Sequence, residues 1–161
     1  MEYEHIIHPI EPVYNETSRI LILGSLPSVK SREVNFFYGH PMNRFWKVVA
    51  GVVGEPVPTD IESKKAFLLR NHIAVWDTIY SCDIKGSSDS SIKNVVPTDL
   101  EKILRSTKVE RIYCNGNTSY RYYCKYQEPL THIAAIPLPS TSPANAAWSV
   151  ERLTEAWMVI K

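Results

Sequence analysis

Residues 19–28 read RILIL (19–23) followed at once by GSLPS (24–28). A purely aliphatic run this short, cut off by Gly24 and Pro27, is a buried strand that feeds a tight loop. Three more runs of the same kind follow: IAVW (73–76), RIYC (111–114) and HIAAIPL (132–138). Each is too short for a helix and is bounded by polar or turn residues. Helical signals lie between them. Phe45, Val48, Val49 and Val52 share one helical face. Thr59 with Glu62, and Thr98 with Glu101, fit the S/T-x-x-E capping box ahead of Ala66 and Leu69, and of Leu100, Ile103 and Leu104. Ser149 is placed to cap a last helix carrying Val150, Leu153, Trp157 and Ile160 on one face. Strand alternating with helix predicts an α/β fold, a three-layer α/β/α sandwich around a central, mostly parallel four-stranded sheet.

The rest of the chain is consistent with a single domain over residues 1–161, with residues 1–17 as an N-terminal arm. Its 161 residues are 44% hydrophobic and 22% charged, enough for one real core and too rich in aromatics for a disordered chain. Eighteen Lys and Arg oppose seventeen Asp and Glu, so binding to an anionic polymer must rest on a local patch. Residues 19–54 supply one: Arg19, Lys30, Arg32, Arg44 and Lys47 against Glu33 alone. The opening MEYEHIIHPIEP, with three glutamates, is wrong for a secretory signal, and no apolar run approaches a bilayer span. The expected setting is the cytoplasm, or the nucleoid of a prokaryote. Cys82, Cys114 and Cys124 form no C-x-x-C pair and the five histidines no H-E-x-x-H set. Neither a metal nor another cofactor is expected.

In a sheet of this type ligands bind at the carboxyl ends of the strands. The segments that matter are therefore 24–43, 77–92, 115–119 and 139–148. The loop after the first strand is long and holds Pro27, Pro41, Phe36, Phe37 and Tyr38, with His40, Asn43 and Arg44 just before a helix. Loops of this length in a small domain are usually functional. LPSTSPANAAWS (138–149) places hydroxyls and backbone N–H groups directly after a strand, a composition suited to phosphate oxygens.

These segments resemble the uracil-DNA glycosylase superfamily. GSLPS (24–28) sits where its first motif lies, and HPMNRFWKVV (40–49) resembles the H-P-x-N-R-F-W-K-V segment of the mismatch-specific branch. LPSTSPANA (138–146) is similar to the second motif and closest to the hypoxanthine (deoxyinosine) DNA glycosylase branch. The resemblance implies a monofunctional DNA glycosylase that flips a deaminated base out of double-stranded, or single-stranded, DNA and hydrolyses its glycosidic bond. Hypoxanthine is the first expected substrate and uracil the second. The expected state is a monomer with no membrane partner. A G:U/G:T mismatch-specific enzyme and an inactive lesion-binding module are the alternatives.

The resemblance also implies roles. The mismatch-specific branch carries a catalytic Asn where this chain has Leu26, and the resemblance to the hypoxanthine branch implies that the Asn of H-P-x-N, here Asn43, takes that role. An oxocarbenium-like sugar accepts a weak nucleophile, so a neutral amide that holds water in line suffices. Backbone N–H groups of Gly24, Ser25, Leu26, Pro27 and Ser28, proline excepted, are the expected stabilisers of the departing base. Tyr38 aligns with a stacking aromatic and Asp77 with the base-reading position. Asn115, following the third strand, is expected on the same rim against the base or the sugar, and His40 is a further substrate-binding candidate that otherwise reads as a structural hydrogen-bonder. Lys30, Arg44, Ser140, Thr141 and Ser142 are expected on phosphates. Pro143, Ala144 and Asn145 are expected in the space the base vacates. Without the likeness Asn43 reads as a helix cap and Asp77 as an Asx turn. A serine hydrolase built on Ser25 is disfavoured, because GSLPS is not G-x-S-x-G and His132 opens a strand.

Overall fold

The computed structural model describes residues 2–86 and 88–161. Its centre is a parallel sheet in which β2 (Ile20–Gly24) lies between β3 (Ile73–Asp77) and β6 (Arg111–Asn115), with β7 (Ala135–Leu138) on the far side of β6. All of β2 is buried, as a strand covered on both faces must be. Alternate residues divide between two cores. Ile20, Ile22, Val75 and Tyr113 pack with α2 (Phe45–Val53), α3 (Ile61–Arg70) and α7 (Val150–Trp157). Leu21, Leu23, Ala74, Ile112 and Cys114 pack on the other face with Leu100, at the start of α4 (Glu101–Ser106), and with Tyr123. The period-2 strand and its two helical coats make the three-layer sandwich that the sequence predicts.

A second sheet was not foreseen. β1 (Glu4–Ile7), β4 (Ile79–Ile84) and β5 (Lys93–Pro97) form an antiparallel sheet in the order β1-β4-β5. Residues 4–7 of the expected arm are therefore a strand, and residues 79–84 of the 77–92 segment are another. Only Thr78 separates β3 from β4, so one apolar stretch of sequence serves two sheets. Val13 adds an isolated bridge to Val75, tying the arm to the parallel sheet as well.

Local signals moved by a residue or two in several places. Asp60, not Thr59, caps α3, with Ser63 completing the box. Thr98 does not cap α4; its hydroxyl donates to the Asp77 carbonyl at 2.7 Å. Ser149 does cap α7, accepting from Arg152 N–H. The long loop contains a short helix, α1 (Val29–Val34), capped by Ser28. Residues 117–131, unassigned in the sequence, are helical as α5 (Asn117–Tyr122), a π-helical turn (Tyr123–Gln127) and α6 (Glu128–Thr131).

Candidate active site

Strand register assembles the site. Gly24 pairs with Asp77, Leu23 with Cys114, and Asn115 with Leu138, so Gly24, Asp77, Asn115 and the start of the 139–148 loop share one edge of the sheet. Over that edge opens a cavity of about 650 Å³, walled by Gly24–Ser28, Tyr38, Asn43, Asp77, Asn115 and the 138–148 loop. This is a size suited to a nucleobase with part of its sugar.

Gly24 lets the floor close up. A Cβ there would lie 2.4 Å from Asp77 Oδ1 and 3.1 Å from the Tyr38 hydroxyl, so both polar atoms converge on the space that glycine vacates. Tyr38 has φ 52°, an unusual conformation for a side-chain-bearing residue. Its ring lies flat on Phe45, with centroids 4.0 Å apart and planes 12° apart, and borders the cavity. The Tyr38 hydroxyl is buried with no hydrogen-bond partner among the described residues. Burial, and next the nearby Asp77 carboxylate, push the phenol far above its ordinary range, so it stays a neutral donor. Phe36 and Phe37 are core residues instead.

Asn43 is held by its oxygen. Oδ1 accepts from Phe45 N–H and from Thr141 Oγ1, both at 2.9 Å. The backbone donor fixes the amide orientation and turns Nδ2, not Oδ1, toward free space. The capping contact and the cavity-facing placement thus coexist. Thr141 is fully buried, and its hydroxyl also accepts from Asn115 Nδ2 at 3.0 Å, while Asn115 Oδ1 accepts Thr141 N–H at 3.0 Å. Thr141 is therefore a bridge between two amides. The phosphate contact expected for it is not possible from that position.

Arg44 also departs from expectation. Its guanidinium donates to the carbonyls of Thr141, Ser142, Asn145 and Trp148, clamping the 139–148 loop from behind. Phosphate contact is replaced by loop positioning. Arg44→Ala should destabilise the fold by about 1.5–3 kcal/mol, the value of charge-assisted hydrogen bonds, and Arg44→Lys should recover little because an ammonium lacks the fork. Urea unfolding measures both.

Within the clamped loop, Ser140 Oγ accepts Ser142 N–H and Ser142 Oγ accepts Ala144 N–H, leaving each O–H free to donate outward. Pro143 and Ala144 form the exposed crest, and Asn145 is tied down by Nδ2 donating to the Ser140 carbonyl. Trp157 Nε1 donates to the Pro139 carbonyl and steadies the loop base.

The basic patch does not gather at the cavity. Arg19 precedes β2, at the opposite end of the strand. Lys30 faces Glu33 at 3.4 Å on exposed α1 and does not line the cavity. Arg32, in the last turn of that helix, does. His40 folds back to accept Met42 N–H at 3.0 Å and is not part of the wall. Leu26 packs toward the antiparallel sheet, against Ile6, Ile79 and Ile84, while still touching the cavity. Trp148, Thr118 and Asp89 also line the cavity; each lies in one of the four candidate segments, although no signal in the sequence singles it out. His8, also missed, hydrogen-bonds Asp77 through Nε2 at 2.7 Å. Among the described residues no cluster of three His, Cys, Asp or Glu is arranged to hold a metal, and no helix is long and apolar enough to cross a membrane.

Comparison with known proteins gives the site its context. The family model of the uracil DNA glycosylase superfamily matches residues 11–161. The chain is 34% identical over 148 residues to a hypoxanthine DNA glycosylase of Methanosarcina acetivorans, covering 89% of this chain and 90% of that one. It is 37% identical over 84 residues to a hypoxanthine DNA glycosylase of Methanosarcina barkeri, covering 52% of this chain and 53% of that one. A solution NMR structure from Methanosarcina acetivorans, described as a candidate uracil DNA glycosylase, superposes with a TM-score of 0.81 at 32% identity, covering 95% of this chain and 94% of that one.

Proposed function

We propose that this chain, which belongs to the uracil DNA glycosylase superfamily, is a monofunctional DNA glycosylase that removes hypoxanthine, and next uracil, from DNA by hydrolysis. The observation that carries the reading is the strand-end cavity, in which a carboxylate oxygen, an aromatic face and an amide nitrogen meet. Duplex DNA is the substrate polymer, and the enzyme works on it as a monomer.

The nucleotide turns out of the stack into the cavity, and unstacking costs about a few kcal/mol. The extruded base lies on the Tyr38 ring face opposite Phe45. Its ring N–H meets Asp77 Oδ1, which accepts from N1–H of hypoxanthine and from N3–H of uracil alike. Ser25 and Leu26 N–H groups, which have no acceptor among the described residues, face the charge that collects on the departing base. Asn43 Nδ2 holds a water by donating to it, leaving a lone pair for the sugar cation; no base is needed to take its proton beforehand. Ser140 and Ser142 hydroxyls hold flanking phosphates, and the Pro143–Asn145 crest fills the gap left in the helix.

A panel of duplexes carrying hypoxanthine, uracil, xanthine or mismatched thymine, each assayed for release of the free base, tests this. Hypoxanthine is expected to leave fastest, with strand breakage only after alkali. Fastest release of thymine would assign the mismatch branch. Tight binding with no released base would assign an inactive module.

A further inference from the structure

The pairing of β1 with β4 carries His8 behind Asp77, beneath the cavity wall: its backbone N–H donates to the Tyr80 carbonyl at 2.7 Å, and its ring packs against Phe37 and Trp76. The His8 side chain is 1% exposed and that of Asp77 5%, with Nε2 and Oδ2 2.7 Å apart. Nδ1 accepts Ile10 N–H at 3.2 Å, so the ring proton sits on Nε2 and is donated to Asp77. Asp77 Oδ1 takes no hydrogen bond from the described residues and opens on the cavity where Gly24 leaves room.

We propose that His8 is a positioning residue for base recognition: it pins the Asp77 carboxylate through Oδ2, so that Oδ1 stands fixed as an acceptor for a ring N–H of the extruded base. The proposal rests on the glycosylase reading above and adds a basis for selection. Deamination of adenine to hypoxanthine, or of cytosine to uracil, converts a ring-nitrogen lone pair into an N–H. An oriented acceptor oxygen attracts the product and repels the parent. Guanine and thymine also carry a ring N–H, so this contact filters against adenine and cytosine alone. Without His8 the carboxylate is free to rotate, and the acceptor is held in place for only part of the time.

The test is single-turnover kinetics on a hypoxanthine duplex with the wild-type chain, His8→Phe, His8→Gln, Asp77→Asn and the His8→Phe/Asp77→Asn pair. Phenylalanine keeps the ring shape and glutamine keeps a donor near the place of Nε2. His8→Phe should weaken half-saturation on the order of 10-fold, as expected for one well-placed hydrogen bond, with a smaller change in the limiting rate. His8→Gln should recover most of that loss. The double variant should be no worse than Asp77→Asn alone, because both changes remove one contact. Wild-type kinetics in His8→Phe, a His8→Gln as impaired as His8→Phe despite an unchanged melting temperature, or losses that multiply in the double variant would each overturn the proposal. If His8→Phe does not fold, His8→Gln and Asp77→Asn still decide: His8→Gln must remain close to wild type while Asp77→Asn falls. A wild-type chain that releases no base defeats the glycosylase reading instead, which separates the two failures.

Discussion

Asn43→Ala is expected to slow single-turnover release of hypoxanthine by on the order of 10²- to 10³-fold, the scale of removing one preorganised polar group from a reacting centre. The accompanying loss of the contact to Phe45 N–H should lower stability by only about 1 kcal/mol, as for an ordinary cap, so the rate falls far more than the fold weakens. Asn43→Asp separates two roles for the amide. Oδ1 is already occupied by Phe45 N–H and Thr141 Oγ1, and an aspartate keeps both bonds. It also exchanges the free N–H donor for an oxygen acceptor. A site that holds water through Nδ2 loses activity in Asn43→Asp about as it does in Asn43→Ala. Retention or gain of activity would mean that the working atom accepts a proton from water.

Thr141→Val is expected to reduce the same rate about 10- to 10²-fold, corresponding to ~1–3 kcal/mol for leaving buried partners unpaired. The change is close to isosteric and removes only the hydroxyl that joins Asn43 Oδ1 to Asn115 Nδ2. Affinity for undamaged DNA should stay within about two-fold, since a fully buried hydroxyl cannot reach phosphate. Thr141→Ser, which keeps the bridge, should restore most of the rate. Filter binding and single-turnover assays on the three proteins measure this. A Thr141→Val protein with weakened DNA affinity and normal chemistry would return Thr141 to the phosphate role.

The four parallel strands were legible because each is an apolar run that stops at a residue with its own local meaning: Gly24, Asp77, Asn115 and Pro139. Their shared edge followed from the rule for parallel sheets, and Gly24, Tyr38, Asn43, Asp77 and Asn115 do meet there. What could not be read depends on contacts between distant residues. Asn43 and Thr141 are 98 positions apart, yet their hydrogen bond decides which end of the amide is free. Arg44 reads as a surface cation until the 139–148 loop closes over it. His8 is 69 positions from Asp77 and reaches it only because a four-residue strand, too short to show periodicity, pairs with a strand hidden behind Thr78.

The arrangement as a whole is tested most directly by a crystal structure of the chain on a duplex carrying a 2′-fluoro deoxyinosine, which resists hydrolysis. The base should lie in the strand-end cavity against Tyr38, with N1 about 3 Å from Asp77 Oδ1. Asn43 Nδ2 should hold a water on the face of the sugar opposite the base. A hypoxanthine still stacked in the helix, or one whose N1 edge faces away from Asp77, would contradict it.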